Sequence, residues 1–198
     1  MRHLIPGVPF TDTRATCDSM SAWCRVTRRD PSVSSMPVII RLAEVRDAQS
    51  IATLSRKMIE RDMPWHWTPP AVAAAIRDTS VNVVVAEFSR AVIGFGIMEY
   101  GSDEAHLVLL AVDEPDRRKG LGGQLLCWLE EAAVAAGISR IRLEARVENA
   151  AALAFYRKHG YAEYQEVLGM YHGAFDGVRL AKVLGNPAPC IRGGPSAV

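Results

Sequence analysis

Seven residues, Arg117-Arg118-Lys119-Gly120-Leu121-Gly122-Gly123, combine the chemistry of an anion site. They follow a buried-looking strand at residues 107–112, which ends in Leu110-Ala111-Val112, and a turn, Asp113-Glu114-Pro115-Asp116. They open into an amphipathic run that begins Gln124-Leu125-Leu126. The first amides of a helix have no partner inside the helix, and the helix dipole places partial positive charge on them. Gly120 and Gly122 let the turn take unusual dihedrals and let a phosphate approach the backbone. Arg117, Arg118 and Lys119 set cations beside those amides. In isolation the fragment also reads as a tight strand-to-helix turn with a solvated basic edge. It is not a Walker loop, because no Gly-Lys-Ser/Thr follows, and it lacks the third glycine of a dinucleotide fingerprint.

A second group of candidates lies downstream, in Leu143-Glu144-Ala145-Arg146, Asn149 and Tyr156. Strand alternation sets Glu144 between two apolar positions, so it points either into a cleft or to solvent beside Arg142 and Arg146. Asn149 reads as a helix cap and Tyr156 as a helix residue whose ring packs on the core. Glu99, near a strand end, reads as a solvated edge residue and stands as a reserve base. His66, His106, His159 and His172 show no spacing that implies a metal and read as surface or packing histidines. Trp65 and Trp67 flank His66 in a loop, where they can wall a groove.

The elements that must position these groups alternate along the chain. Strands are expected at residues 38–42, 81–88, 91–100, 107–112, 140–146, 164–168 and 178–183. Helices are expected from the Asp47 cap to about residue 61, from the Thr68 cap to about 78, over 120–136, and over 150–159. Asp176-Gly177 supplies a turn between the last two strands. Three consecutive strands with short connections predict an antiparallel meander, and the helix over 120–136 supplies the crossover to a parallel strand. The fold class is α+β, or mixed α/β. One domain is expected over residues 36–184, with flexible extensions at 1–35 and 185–198.

The chain has 198 residues and a formal net charge of +1, so bulk electrostatics do not call for nucleic acid. No apolar run reaches membrane-spanning length, no signal peptide stands out, and a cytoplasmic protein is the default expectation. Cys17, Cys24, Cys127 and Cys190 form no Cys-x-x-Cys pair, which argues against a disulfide framework or a zinc site; Cys127 reads as a small apolar filler.

The basic turn resembles the pyrophosphate loop of the GNAT superfamily, the acyl-CoA-dependent N-acyltransferases, whose pattern is Arg/Gln-x-x-Gly-x-Gly/Ala. The stretch from Leu143 to Tyr161 resembles the downstream half of the same superfamily, with Asn149 at a helix start, Tyr156 within the helix and Gly160-Tyr161 after it. Within it, the Leu-Glu-x-Arg opening is similar to the ribosomal-protein alanine N-terminal acetyltransferase branch. Pro64-Trp65 resembles that branch's substrate loop, and Met170-Tyr171 with Asp176-Gly177 its closing hairpin.

The resemblance implies a central mixed sheet of about six to seven strands with about four helices. It implies acetyl-CoA as co-substrate, held by Leu110, Ala111, Val112, the turn from Arg117 to Gly123, and Asn149 beside the pantetheine arm. Glu144 becomes the proton acceptor, its pKa expected to rise in a cleft, and Tyr156 the proton donor. A backbone N–H near Val112 meets the oxyanion, and Trp65 and Tyr171 line the acceptor. The chemistry wants such groups: an amine attacks a thioester only when neutral, and the leaving thiolate must be protonated or stabilised. Gly169 stands where the branch carries a basic residue, and Glu114 where the loop proline usually stands. The acceptor is thus an amine, a peptide N-terminus or a small molecule such as a polyamine, amino acid or antibiotic. A non-catalytic acyl-CoA-binding module is the rival, and a homodimer through a terminal strand edge is allowed but not required.

Overall fold

The computed structural model describes residues 37–185, so the expected extension at 1–35 and the tail from 186 onward lie outside the described residues. Seven strands form one sheet in the order β1-β2-β3-β4-β5-β7-β6. They are β1 Ile39–Leu42, β2 Val81–Phe88, β3 Ala91–Tyr100, β4 Glu104–Val112, β5 Arg140–Arg146, β6 Ala162–Tyr171 and β7 Phe175–Val183. Four helices accompany them: α1 Ala48–Met58, α2 Pro69–Arg77, α3 Leu121–Ala135 and α4 Ala150–Lys158. The meander β1 to β4 is antiparallel, and β4 to β5 is the parallel pair that α3 crosses over to make. The expected mixed sheet is therefore present.

The sheet separates two cores. One lies under α3 and α4, where Leu125, Leu126 and Leu129 are fully buried against Val84, Met98, Ile141 and Leu143. Each such leucine contributes about 2 kcal/mol of burial. The other lies under α1 and α2 and packs Ile51, Leu54 and Val72 on Val83, Val85, Phe95 and Ile97. The second core covers β2 to β4, and among the described residues no helix lies over the same face of β5, β7 and β6.

Four local expectations need correction. Asp47 does not cap α1 with its side chain; its carboxylate accepts from the Glu44 amide at 2.7 Å and from Arg41 at 2.7 Å, and a short 3-10 turn leads into the helix. The β6–β7 hairpin turns at residues 172–174 rather than at Asp176-Gly177, with His172 at φ 55°. Asp176 instead receives the Gly169 amide at 2.7 Å, and Gly177 lies in β7, where a Cβ would fall 2.3 Å from Met170 Sδ. Both strands run further toward the tip than their alternation suggested; β6 lies at the sheet edge, where a strand can be exposed on both faces and still pair. Cys127 is disulfide-bonded rather than a simple filler; the other three cysteines lie outside the described residues.

Candidate active site

The site is organised by a separation between β4 and β5. They pair from Glu104↔Arg140 to Leu107↔Leu143 and no further. Beyond that, β4 stays with β3 as far as Val112↔Gly94, and β5 stays with β7 as far as Arg146↔Gly177. The cause is visible in the register. Met98 faces Leu107 but Ile97 faces Leu109, which leaves Val108 as a bulge on β4. A bulge bends its strand and increases its twist. It also switches the faces: Ala105 and Leu107 point into the α3 core, while Leu109 and Ala111 point into the α1–α2 core. Among the described residues no strand stands opposite the β5-side edge of residues 108–112, so backbone N–H and C=O groups there are open to a ligand.

The basic turn follows directly. Asp113 accepts from the Glu114 amide at 2.9 Å and starts a 3-10 turn over Glu114–Asp116. Arg118 takes the left-handed conformation at φ 63°, and Gly120 takes it at φ 82° as the N-cap of α3. No side chain caps that helix start. Gly120 is required here, since a side chain at this dihedral costs about 1–2 kcal/mol. The amides of Leu121, Gly122 and Gly123 belong to the first helical turn and have no intrahelical acceptor. The three cations are not equivalent. Arg117 turns back, donating from Nε to Val112 O at 3.1 Å, and Lys119 pairs with Asp116 at 2.7 Å. Arg118 makes no ion pair among the described residues. Of the basic residues expected to meet the cofactor, it alone is uncommitted.

Asn149 caps α4, accepting from the Ala152 amide at 3.1 Å through Oδ1, which leaves its NH₂ donors outside the cap. Tyr156 is buried in the core under α4, edge-on to Phe155 and Tyr161. Burial pushes its phenol well above the usual tyrosine range, helped by the nearby Tyr171 hydroxyl. Tyr171, near the tip of β6, is pushed up to about 12 by burial and by the Glu144 carboxylate, against the pull of Arg146. Tyr171 thus lies within electrostatic reach of both Tyr156 and Glu144, although α4 and the outer side of β5 lie on opposite faces of the sheet. The gap between the strands is what connects them.

Glu144 does not behave as the expected raised-pKa carboxylate. Its Oε2 lies 2.5 Å from His106 Nε2, and its Oε1 lies 3.2 Å from Arg142 Nη1 and 3.8 Å from Arg179 Nε. The hydrogen bond from His106 lowers its pKa, burial works the other way, and the charges of His106, Arg142 and Arg179 reinforce the lowering. Cleft burial alone would raise a carboxylate pKa, but here partners from β4, β5 and β7 outweigh it. His106, read from sequence as a packing residue, is one half of this pair. Glu99 lies directly across β3–β4 from His106 and lines the same cavity.

The residues expected to line the acceptor stand on two walls. Between α1 and α2 the chain is fastened by Glu60, which is 3% exposed. Glu60 accepts from the His66 amide at 2.7 Å, the Trp67 amide at 3.3 Å and Ser55 Oγ at 2.9 Å. Trp67 packs onto the α1–α2 core, whereas Trp65 stays 41% exposed. The other wall is the β6–β7 hairpin with Tyr171. The walls meet where the rings of His66 and His172 stack, centroids 5.5 Å apart and planes 5° apart. No spacing rule could have linked these two histidines or pointed to Glu60. Among the described residues no three His, Cys, Asp or Glu side chains cluster as a metal site, and no helix is long and apolar enough to cross a membrane.

The acetyltransferase (GNAT) family model matches residues 44–161, which includes the separated strands, the basic turn and α4. The chain belongs to the GNAT family. It is 29% identical over 128 residues to the ribosomal protein bS18-alanine N-acetyltransferase of Escherichia coli, an alignment covering 65% of this chain and 85% of that protein. It is 27% identical over 135 residues to the aminoalkylphosphonate N-acetyltransferase of Salmonella typhimurium, covering 65% and 88%. Among solved structures, the PaiA N-acetyltransferase of Thermoplasma acidophilum, in complex with coenzyme A, superposes with a TM-score of 0.65 at 19% identity over 75% of this chain and 99% of that one, which shows the shared fold. The chain is thus an N-acetyltransferase that moves an acetyl group to an amine, with acetyl-CoA as its co-substrate.

Proposed function

We propose that the acceptor is the α-amino group of a peptide or protein, and that acetyl transfer occurs by direct attack in a ternary complex. The observation that carries this reading is the pair of walls above the separated strands. One is an α1–α2 segment locked by Glu60 that keeps Trp65 exposed, and the other is a hairpin that presents Tyr171. An extended chain fits between two such walls. The similarity to enzymes named for a ribosomal-protein alanine supports it.

In this reading acetyl-CoA lies along α3. Its pyrophosphate meets the amides of Gly120 to Gly123 and the Arg118 guanidinium, and its pantetheine arm runs along residues 110–112 toward Asn149. A backbone N–H near Val112 receives the oxyanion. The Glu144 cluster serves deprotonation of the amine. Tyr156 stays protonated across the neutral range, given its raised pKa, and so remains available as a donor to the leaving sulfur.

A second reading, a small amine that carries an anionic group, has one observation in its favour. Arg146, two residues beyond Glu144, has its Nη2 buried without a hydrogen-bond partner among the described residues, while its guanidinium lies over Phe175 at 4.3 Å. A panel of peptides with free N-termini against aminoalkylphosphonates, amino acids and polyamines, with thiol release as readout, separates the two. Turnover on peptides at least tenfold above every small amine supports the first, and the reverse order rejects it.

A further inference from the structure

His106 occupies a particular place. It lies one residue before the last β4–β5 pair, directly opposite Glu99 on β3 and in register with Arg142 on β5. The Glu144 carboxylate beside it is ionised and can only accept, so His106 Nε2 carries the proton of their 2.5 Å hydrogen bond. In its neutral form the imidazole then has its lone pair on Nδ1, which has no hydrogen-bond partner among the described residues. The ring also lines a solvent-open cavity of about 490 Å³ together with Glu99, Tyr100, Asp103, Glu104 and Arg142.

A carboxylate already engaged by an imidazole N–H and two guanidinium groups is a weak base. An imidazole whose second nitrogen is open and whose N–H is held by a carboxylate is a stronger candidate. The groups that face it are Glu99 from β3, Glu104 from its own strand, Arg142 and Glu144 from β5, and Arg179 from β7. Arg142 is itself occupied by Glu104 at 2.8 Å.

We propose that His106 takes the proton from the acceptor amine at Nδ1, directly or through one water of the cavity, and that Glu144 is the positioning residue that fixes its tautomer. The N–H bond of the ammonium breaks and the proton goes to Nδ1. The freed lone pair forms the C–N bond at the thioester carbonyl, and the C–S bond breaks as the sulfur leaves toward Tyr156. Tyr156 gives its proton to the thiolate, and the second amine proton, released as the amide forms, replaces it. The imidazolium then returns its proton to water in the cavity, so each turnover gives amide, free thiol and one proton. This assignment rests on the reading that the acceptor binds on the Glu144 face.

The test is the pH dependence of kcat for wild type, His106→Ala and Glu144→Gln with one peptide acceptor, with acetyl-CoA affinity measured by calorimetry. Wild type should lose activity on the acid side. His106→Ala should lower kcat by about 10²–10⁴, lose that limb, keep its acetyl-CoA affinity, and recover activity with added imidazole. Glu144→Gln should keep the limb with a lower kcat, because the imidazole has lost the carboxylate that fixes its tautomer. His106→Ala with wild-type kcat, or with reduced kcat, an unmoved limb and no rescue, overturns the role of His106 while Glu144→Gln is still impaired. Wild-type turnover in both variants overturns the placement of the acceptor on this face as well.

Discussion

The two sides of the gap between β4 and β5 are built from different materials. The side proposed for the cofactor is the backbone of residues 108–123, one continuous piece of chain shaped by a bulge, two left-handed residues and a helix start. The side proposed for the acceptor is made of side chains from β4, β5, β7, the α1–α2 segment and the β6–β7 hairpin, spread over more than a hundred residues. Backbone-made sites resist side-chain substitution except where the dihedral itself forbids a Cβ. Sites assembled from side chains fail through single residues and carry the specificity. Substitutions on the two sides should therefore separate cleanly into effects on acetyl-CoA binding and effects on turnover or acceptor choice.

The largest separation is expected at Glu144. Glu144→Gln should lower kcat by about 10²–10⁴ with acetyl-CoA affinity unchanged, measured by steady-state kinetics and calorimetry. Gly120→Val should do the opposite: the left-handed dihedral at φ 82° becomes strained, and acetyl-CoA affinity falls by about tenfold with the acceptor KM little changed. Arg118→Ala removes one exposed cation and should weaken acetyl-CoA about fivefold, with a shallower salt dependence than wild type. Trp65→Ala should raise the acceptor KM about threefold and leave the coenzyme untouched. A loss of acetyl-CoA affinity in Glu144→Gln or Trp65→Ala would break the comparison.

Acid stability gives a further check. The pKa of Glu144 is lowered on folding, so its clamp is fully formed above the ordinary carboxylate range and is lost as pH falls through the folded value, below 4.5. Wild type should be more stable than Glu144→Gln at neutral pH, and the two denaturation midpoints should converge on acidification below that point.

The same contrast explains what the sequence could reveal. The basic turn was legible because helix start, glycines and cations are contiguous, and the β-strand and helix periods around it are strong. Yet contiguity alone could not show that Arg117 and Lys119 are already engaged, since their partners depend on how the turn folds back. Glu144 and Tyr156 could be picked out by resemblance, but the lowered carboxylate pKa could not, because His106 lies 38 positions away and Arg179 on a third strand. Glu60 gave no signal at all: a glutamate at a helix end looks solvated until three separate donors converge on it. The hairpin turn was misplaced because Asp-Gly is a strong turn pair, whereas here the glycine answers to the Met170 side chain across the strand.

The central claim is that acetyl-CoA is gripped by amides between residues 109 and 123 and reaches the acceptor through the gap. Backbone amide NMR during acetyl-CoA titration tests it most directly. The largest shifts should fall on Gly120, Leu121, Gly122, Gly123 and the Leu109 to Val112 strand, with Asn149 following. Saturation of binding with those resonances unmoved, and shifts gathered elsewhere on the sheet, would contradict the account.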